Sequence, residues 1–490
     1  MEKKRSVAFH TLGCKLNFSE TSTLSRLMEQ EGFEKKDFDS NADVYVINTC
    51  SVTDNADKEC RQIVRRIQRK SPESFVVITG CYAQLKPTEI ASIPGVDLVL
   101  GASEKFNIIK HINELTKGDA SKICSCDIET VTGFNASFSM NDRTRSFLKV
   151  QDGCDYNCSF CTIPMARGKS RSDNIANVVA NAKTLAADGV KEIVLTGVNL
   201  GDFGKGPDGE LKYEEDFAQL IVALDEVEGI DRYRISSIEP NLLTNEVIEW
   251  VSTSKKFMPH FHIPLQSGSN DILRLMRRRY QKELYQERVD LIKQLMPHCA
   301  IGVDVIVGFP GETDKHFQET FDFLHQLDVS YLHVFTYSER TATKALDIQP
   351  IIPMAVRNER NKILRNLSYQ KLQYFTEQHY QSTRKVLFEN FEKNGMMEGY
   401  TDNYLRISTP FRDEEIQIIK QYLSEKDAIL TLQSLQAFEE TTKVLVTYGV
   451  FMDKVGTVIK KERKKIYVKL QSLGQVMVVE FPIDYLKPMF

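Results

Sequence analysis

The chain has 490 residues, a length that suggests about three domains. With 42% hydrophobic and 27% charged residues it has the composition of an ordinary globular protein, and no apolar run suits a signal peptide or a membrane span, so we expect a cytoplasmic protein without a membrane partner. The net charge of −4 excludes a globally basic nucleic-acid binder and leaves any RNA contact to local basic patches.

Short apolar runs alternate with helical patterns over residues 1–135, which predicts βαβ units and a parallel sheet. Three predicted strands run directly into loops that contain a cysteine. The strands are Val7–His10, Asp43–Ile47 and Phe75–Ile78, and the cysteines are Cys14, Cys50 and Cys81. Because ligands collect beyond the carboxyl ends of parallel strands, these thiols should converge on one metal site. The alternative is three unrelated buried cysteines.

The first predicted helix follows Cys14 and has an apolar face that includes Leu24 and Met28. Asn17 and Glu20 have the spacing of a capping box, so we expect them to cap the start of this helix. Ten cysteines without a secretory signal favour reduced thiols and metal binding over disulfides. The remaining four are not expected to bind metal, because two follow core periodicity and the Cys-x-Cys pair has no nearby partner: they are Cys60, Cys299, Cys124 and Cys126.

A second group of three cysteines follows the apolar segment Phe147–Val150, in the order Cys-x3-Cys-x2-Cys. These residues are Cys154, Cys158 and Cys161. Three thiolates would leave one iron of a four-iron cluster with a coordination site for another ligand. Zinc is the alternative, and it is disfavoured because no histidine occurs between His111 and His260.

Six strand-and-helix repeats over residues 136–380 predict a partial (β/α)6 barrel with its site in the loops after the strands. The predicted strands are Phe147–Val150, Glu192–Leu195, Tyr233–Ile238, Phe261–Leu265, Gly302–Val307 and Tyr331–Phe335. Post-strand loops offer Asn199, Glu239 and Gln266 as hydrogen-bonding groups for a nucleoside ligand.

Two basic clusters occur near the predicted mouth of this barrel, one of Arg167, Lys169 and Arg171 and the other of Arg277, Arg278 and Arg279. They could neutralise RNA phosphates, or they could form a solvated face. Beyond residue 380 short alternating strands predict small antiparallel barrels, one over residues 381–444 and another over residues 445–490. The basic turn 460–465 in the second could bind an RNA backbone or protect an edge strand.

Over roughly residues 5 to 410 the sequence closely resembles the methylthiotransferase family of radical S-adenosylmethionine (SAM) enzymes. The motifs that carry this resemblance are His10–Asn17, Val46–Cys50, Thr79–Cys81, Gly153–Arg171, His262–Gly268, Met276–Arg279, Val307–Thr313 and Thr401–Tyr404. The resemblance implies an N-terminal methylthiotransferase domain, a radical SAM core and a TRAM-type RNA-binding barrel. It also implies an auxiliary [4Fe-4S] cluster on the first cysteine triad and a SAM-cleaving [4Fe-4S] cluster on the second.

In that family one SAM donates a methyl group to sulfur on the auxiliary cluster, and a second SAM yields the radical that removes a substrate hydrogen. The resemblance therefore implies no catalytic residue beyond the clusters, and it places Phe160, Asn199, Glu239 and Gln266 beside SAM. A flavodoxin- or ferredoxin-like electron donor is a further implied partner. The loop Ser338–Thr343 departs from the family pattern beside its arginine.

Substrates divide the family into three branches, and the motifs of this chain look most like the branch that acts on threonylcarbamoyladenosine in tRNA. The motifs concerned are Thr11–Lys15, Ala166–Arg171 and Met276–Arg279. The alternatives are isopentenyladenosine in tRNA and an aspartate of a ribosomal protein. A non-catalytic iron–sulfur scaffold is a more remote alternative, since an electron carrier normally coordinates its cluster fully.

Overall fold

The computed structural model describes residues 4–50, 54–140, 144–206, 214–393, 396–410, 443–446, 455–462, 465–472, 475–481 and 486–488. The chain forms two compact units, one of Met1–Lys385 with Thr401–Leu405 and the other of Val386–Tyr400 with Arg406–Phe490. The finer domain boundaries expected from the sequence stay predictions. Within the described ranges, no helix combines the length and apolar character needed to cross a bilayer.

The N-terminal part of the first unit is a parallel six-stranded sheet in the order β2-β1-β3-β4-β5-β6. Its strands are β1 (Ser6–Thr11), β2 (Glu34–Lys36), β3 (Val44–Thr49), β4 (Phe75–Gly80), β5 (Leu98–Leu100) and β6 (Lys122–Cys124). The helices are α1 (Lys15–Gln30), α2 (Asp54–Lys70), α3 (Cys81–Leu85), α4 (Pro87–Ala91) and α5 (Ile108–Asn113). The predicted parallel α/β fold of this region is confirmed.

Both faces of this sheet are covered, which explains why β3 is buried at every position and apolar from Val44 to Ile47. Side chains alternate along a strand, so Tyr45 and Ile47 enter one apolar cluster while Val44 and Val46 enter the cluster on the other face. The two layers hold the strands in register and so fix where their carboxyl ends lie.

The middle of the first unit is built on six parallel strands that follow one another in chain order. They are β8 (Arg145–Lys149), β11 (Glu192–Thr196), β12 (Arg232–Ile235), β13 (His260–Gln266), β14 (Ala300–Val307) and β15 (Tyr331–Thr336). Three strands of two residues each accompany them: β7 (Ser137–Phe138), β9 (Gln151–Asp152) and β10 (Arg171–Ser172). Parallel pairing joins β8 to β11 and β12, and joins β13 to β14 and β15. A parallel bridge from Tyr233 to Phe257 and a bond from Ile238 N–H to His262 O link the two groups, so the predicted partial barrel is confirmed.

The helices of this part are α6 (Ile163–Arg167), α7 (Ile175–Ala187), α8 (Phe217–Asp225), α9 (Asn245–Thr253), α10 (Asn270–Leu275), α11 (Lys282–Leu295), α12 (Asp314–Gln326) and α13 (Met354–Glu377). Val303 and Val305 of β14 pack in the main apolar core with Val289 of α11 and Leu324 of α12. By strand alternation Asp304 faces the opposite way, into the lumen of the barrel.

The second unit consists of antiparallel strands, as predicted for the C-terminal part. Its strands are β16 (Val386–Lys393), β17 (Met396–Thr401), β18 (Arg406–Pro410), β19 (Lys443–Val446), β20 (Val455–Glu462), β21 (Lys465–Ser472), β22 (Gln475–Phe481) and β23 (Leu486–Pro488). They form one sheet in the order β16-β17-β18 and another in the order β22-β21-β20-β19-β23. The side chains of the basic turn 460–465 lie outside the described residues, as do residues 411–442 of the predicted TRAM-type domain.

Candidate functional site

The three N-terminal cysteines lie at the carboxyl ends of three neighbouring parallel strands. Cys14 follows β1 after a short loop, Cys50 directly follows β3, and Cys81 directly follows β4. All three are free thiols; Cys14 is exposed, while Cys50 and Cys81 are buried. The structure therefore places the thiols at one edge of the sheet, and their role as cluster ligands stays a prediction.

Two glycines shape the turns that carry these cysteines. Gly13 has φ +99°, and a Cβ added there would lie 2.8 Å from Cys50 Sγ, so the Cys14 loop lies against Cys50. Gly80 has φ +100°, and a Cβ there would lie 2.3 Å from Thr49 O, so only glycine fits between β3 and Cys81. These close approaches bring the three strand ends together.

The second triad lies in the loop that follows β9, and each of its sulfurs accepts one hydrogen bond. The N–H of Tyr156 donates to Cys154 Sγ at 3.4 Å, that of Ile163 donates to Cys161 Sγ at 3.4 Å, and Arg278 Nη1 donates to Cys158 Sγ at 3.1 Å. Hydrogen bonds to sulfur stabilise thiolates and tune cluster potentials. The donor set thus fits a cluster held by three thiolates.

Without a bound cluster these thiols hold their protons firmly. Burial raises the pKa of Cys154 and Cys161 to about 12, and burial also raises the pKa of Cys158 against the opposing charge of Arg278. In the N-terminal triad, burial raises the pKa of Cys81. Because metals bind thiolates, loading either triad with iron would release these protons.

Over the described ranges, three potential ligand atoms within 4.8 Å of one another occur at His262, Asp304 and His333. The choice of an iron–sulfur cluster over zinc at the cysteine triads stays a prediction.

Three of the residues expected beside SAM lie at the same end of the barrel as the second triad. Asn199 follows β11, Glu239 follows β12 and Gln266 ends β13. Asn199 is buried, and its Oδ1 has no hydrogen-bond partner among the described residues although its Nδ2 donates to Asp202 at 3.1 Å. A buried acceptor without a donor fits a site that a ligand completes.

The remaining residues expected beside SAM are Glu239, Gln266 and Phe160. Glu239 contacts the guanidinium of Arg278, which also bonds Cys158, so this carboxylate lies beside the triad. Gln266 has φ +70°, an unusual conformation that turns the chain at the end of β13. Phe160 packs against Phe309 with ring centroids 6.3 Å apart, within a small apolar cluster. Contact of these residues with SAM stays a prediction.

The basic residues expected to contact RNA divide into a buried set and an exposed set. The side chains of Arg167, Arg171 and Arg278 are buried and bonded to internal carboxylates, so this structure does not present them to a phosphate, and RNA contact by these clusters stays a prediction. A sequence cluster of cations does not reveal partners that are distant in the chain. The exposed members are Lys169, Arg277 and Arg279, although Arg279 also lies over the Tyr156 ring at 4.1 Å.

Glu20 forms the centre of a buried charge network and does not cap a helix. Helix α1 begins at Lys15, with Cys14 at its N-cap, so the predicted capping box is wrong. Glu20 instead accepts from Lys105 at 2.6 Å, from Lys149 at 3.3 Å and from Arg167 at 3.1 and 3.3 Å.

This network connects the two triads. Arg167 also donates to Asn17 at 2.6 Å and to Asp152 at 2.9 Å; Asn17 bridges the loops of the first triad, and Asp152 lies two residues before Cys154. Burial alone would raise the pKa of Glu20, but Arg167, Lys105 and Lys149 outweigh it and hold that pKa well below its ordinary value. The two halves of the first unit are therefore joined by compensated buried charges.

Sequence reasoning missed two groupings. The first is the cluster of His262, Asp304 and His333, whose members come from three adjacent strands, so no local spacing in the sequence reveals it. The sequence signal that could have found it is a polar residue within each of three otherwise apolar strands. The Cys-x-Cys pair was expected to lack partners, yet His111 Nδ1 lies 3.5 Å from Cys124 Sγ.

Residues 6–101 match the model of the uncharacterized protein family UPF0004, and residues 148–324 match that of the Radical SAM superfamily. Threonylcarbamoyladenosine tRNA methylthiotransferase MtaB of Bacillus subtilis is 42% identical over 412 residues, which cover 82% of this chain and 90% of that protein. The MtaB of Aquifex aeolicus is 40% identical over 404 residues, covering 82% and 96%.

A relative from another branch is less similar. The tRNA-2-methylthio-N(6)-dimethylallyladenosine synthase of Clostridium botulinum strain Hall is 33% identical over 356 residues, which cover 71% of this chain and 78% of that protein. The higher identity and the greater coverage both favour the MtaB relatives. The chain therefore belongs to the MtaB family of radical SAM tRNA methylthiotransferases.

Proposed function

We propose that this protein adds a methylthio group to carbon 2 of N6-threonylcarbamoyladenosine next to the anticodon of tRNA, with SAM as methyl donor and radical source. The observation that carries the proposal is the pairing of two triads of free cysteines within one compact unit. Family membership supports the same reaction, since the most similar relatives described above bear its name.

The Radical SAM match implies a [4Fe-4S] cluster and SAM. We assign that cluster to Cys154, Cys158 and Cys161, and we propose a second [4Fe-4S] cluster on Cys14, Cys50 and Cys81. When bound, the first supplies the electron that cleaves SAM, and the second supplies the sulfur that is transferred.

The protein's own groups prepare these sites in distinct ways. Arg278 places a positive charge beside Cys158 and holds Glu239 next to it. The unsatisfied Asn199 Oδ1 offers an acceptor for a ribose hydroxyl or for the amino group of SAM.

For tRNA we propose contacts through the exposed cations Lys169, Arg277 and Arg279, which lie on loops near the second triad. Phosphate contacts of this kind position RNA without reading its sequence. A flavodoxin- or ferredoxin-like protein is the proposed electron donor.

The test is mass spectrometry of tRNA nucleosides from cells with and without the gene. We expect methylthio-threonylcarbamoyladenosine to disappear when the gene is deleted and to return when it is restored. Loss of the methylthio derivative of isopentenyladenosine instead, or an altered ribosomal protein with unchanged tRNA, would overturn the proposed substrate.

A further inference from the structure

The lumen of the barrel contains a cluster of three polar side chains, one from each of three adjacent strands. His262 of β13, Asp304 of β14 and His333 of β15 bring their ligand atoms within 4.8 Å of one another. His262 Nε2 and Asp304 Oδ1 are 2.8 Å apart, and Asp304 lies opposite His333 in the strand register. These residues sit on the strand face opposite the apolar core; His262 and Asp304 are partly buried and His333 is exposed, so they line an open part of the lumen.

Cations surround this group. Lys15, the first residue of α1, is half-buried and interacts electrostatically with Arg145, Arg234 and Asp304. Arg234 bonds the nitrogens of His260 at 3.1 and 3.2 Å, and its guanidinium lies 4.1 Å from the ring centroid of Tyr404.

The Lys15 ammonium stands out because no ion pair or hydrogen bond to its Nζ occurs among the described residues. Asp304 is a nearby carboxylate, and it is already bonded to His262. A half-buried ammonium without a partner is unfavourable unless a ligand supplies an anion. Lys15 and Arg234 also interact electrostatically with His333, and positive charges beside this group disfavour a divalent metal there.

The position of Lys15 indicates which part of the substrate supplies the anion. Lys15 directly follows Cys14 at the start of α1, and its electrostatic interactions with Asp304 of β14 and Arg234 of β12 place its head group at the lumen, next to the proposed sulfur-carrying site. In adenine, the N6 substituent and carbon 2 flank N1 on the same edge of the ring. An N6 arm that ends near Lys15 therefore brings carbon 2 towards the first triad.

We propose that Lys15, supported by Arg145 and Arg234, binds the carboxylate of the N6-threonylcarbamoyl arm and selects this substrate over an uncharged N6 isopentenyl arm. This inference rests on the proposed function. Asp304, held by His262, is placed to accept a hydrogen bond from the hydroxyl or N–H groups of the same arm. Lys15 is thus a specificity-determining residue, and its role is separate from that of the cysteines in the two triads.

The experiment measures binding and does not depend on turnover. Anticodon stem-loop RNAs carrying threonylcarbamoyladenosine or its methyl ester are titrated with anaerobically cluster-loaded protein, and fluorescence anisotropy gives the Kd. The ester keeps the arm and removes its charge. We expect the wild type to prefer the free acid by roughly tenfold or more, as for other charge-assisted hydrogen bonds.

Lys15→Gln should reduce this preference to near unity, while Lys15→Arg should keep most of it. Lys183→Gln, which changes an exposed lysine on α7, is the matched control and should behave as the wild type. Iron content and the melting temperature of each variant establish that it is folded and loaded.

Three outcomes overturn the proposal: no preference in the wild type, a preserved preference in Lys15→Gln, or equal losses in the Gln and Arg variants. Weaker SAM binding in Lys15→Gln with an unchanged arm preference would assign the pocket to the SAM carboxylate and also overturn it. Failure of the proposed function is seen separately, as absence of methylthio product from wild-type protein.

Discussion

Replacement of Arg167 by Met tests the buried network that joins the two triads. Arg167 donates to both oxygens of Glu20 at 3.1 and 3.3 Å, to Asp152 at 2.9 Å and to Asn17 at 2.6 Å. Methionine retains much of the apolar stem but removes all four bonds. Two buried carboxylates then lose a cation that they share.

Removing one partner of a buried ion pair costs about 3–5 kcal/mol, because the remaining charge stays desolvated. Lys105 and Lys149 still contact Glu20, so we expect a loss near the lower end, about 3 kcal/mol. Arg274→Met is the matched control. Its side chain is 76% exposed and pairs with Asp271 on the surface, so its loss should cost about 0–1 kcal/mol.

The assay is unfolding in guanidinium chloride followed by the fluorescence of Trp250, the one tryptophan of the chain. Trp250 packs against the main apolar core of the barrel, so its signal reports on that core. We expect a clearly lower unfolding free energy for Arg167→Met than for Arg274→Met. Equal losses in the two variants would refute the inference that Arg167 compensates the buried charges of Glu20 and Asp152.

Three further changes test the site. Glu20→Gln should lower the unfolding free energy above about pH 4.3, where the carboxyl of the unfolded chain is ionised, because burial is outweighed by the surrounding cations, which keep the pKa of folded Glu20 low. The difference in unfolding free energy between wild type and variant should shrink at lower pH. Denaturation curves that give a constant difference from pH 7 to pH 3 would contradict the low pKa. Gly80→Ala should reduce iron binding by the first triad, because the new Cβ meets Thr49 O, whereas full iron content would show that the turn tolerates alanine. Asn199→Ala should raise the Kd for SAM about tenfold in calorimetry, and an unchanged Kd would remove this residue from the SAM site.

The periodicity of apolar residues along the chain predicts most of the strands and helices, because apolar residues occur where a face of an element is covered by its neighbours. The expected strand Glu192–Leu195 is observed as Glu192–Thr196, and the expected strand Phe261–Leu265 is observed as His260–Gln266. Cysteines after successive strands could also be placed, since parallel strands end at one edge. These inferences need only neighbouring residues and one topological rule.

Long-range electrostatics could not be predicted in the same way. Glu20 has capping-box spacing from Asn17, yet its partners lie 85 to 147 residues away, in other elements. Arg278 has the appearance of a surface cation in the sequence, and the structure buries it between Cys158 and Glu239. Ion pairs of this kind depend on how two sheets approach each other, which no local pattern encodes.

The most direct test of the central claim is a single anaerobic reaction that contains purified protein, SAM, a reductant and tRNA bearing threonylcarbamoyladenosine. Mass spectrometry measures 5′-deoxyadenosine and the methylthio nucleoside together. We expect both products from the wild type, neither from Cys158→Ala, and 5′-deoxyadenosine without methylthio nucleoside from Cys50→Ala. Methylthio nucleoside formed by Cys50→Ala, or SAM cleavage that persists in Cys158→Ala, would contradict the division of labour between the two triads.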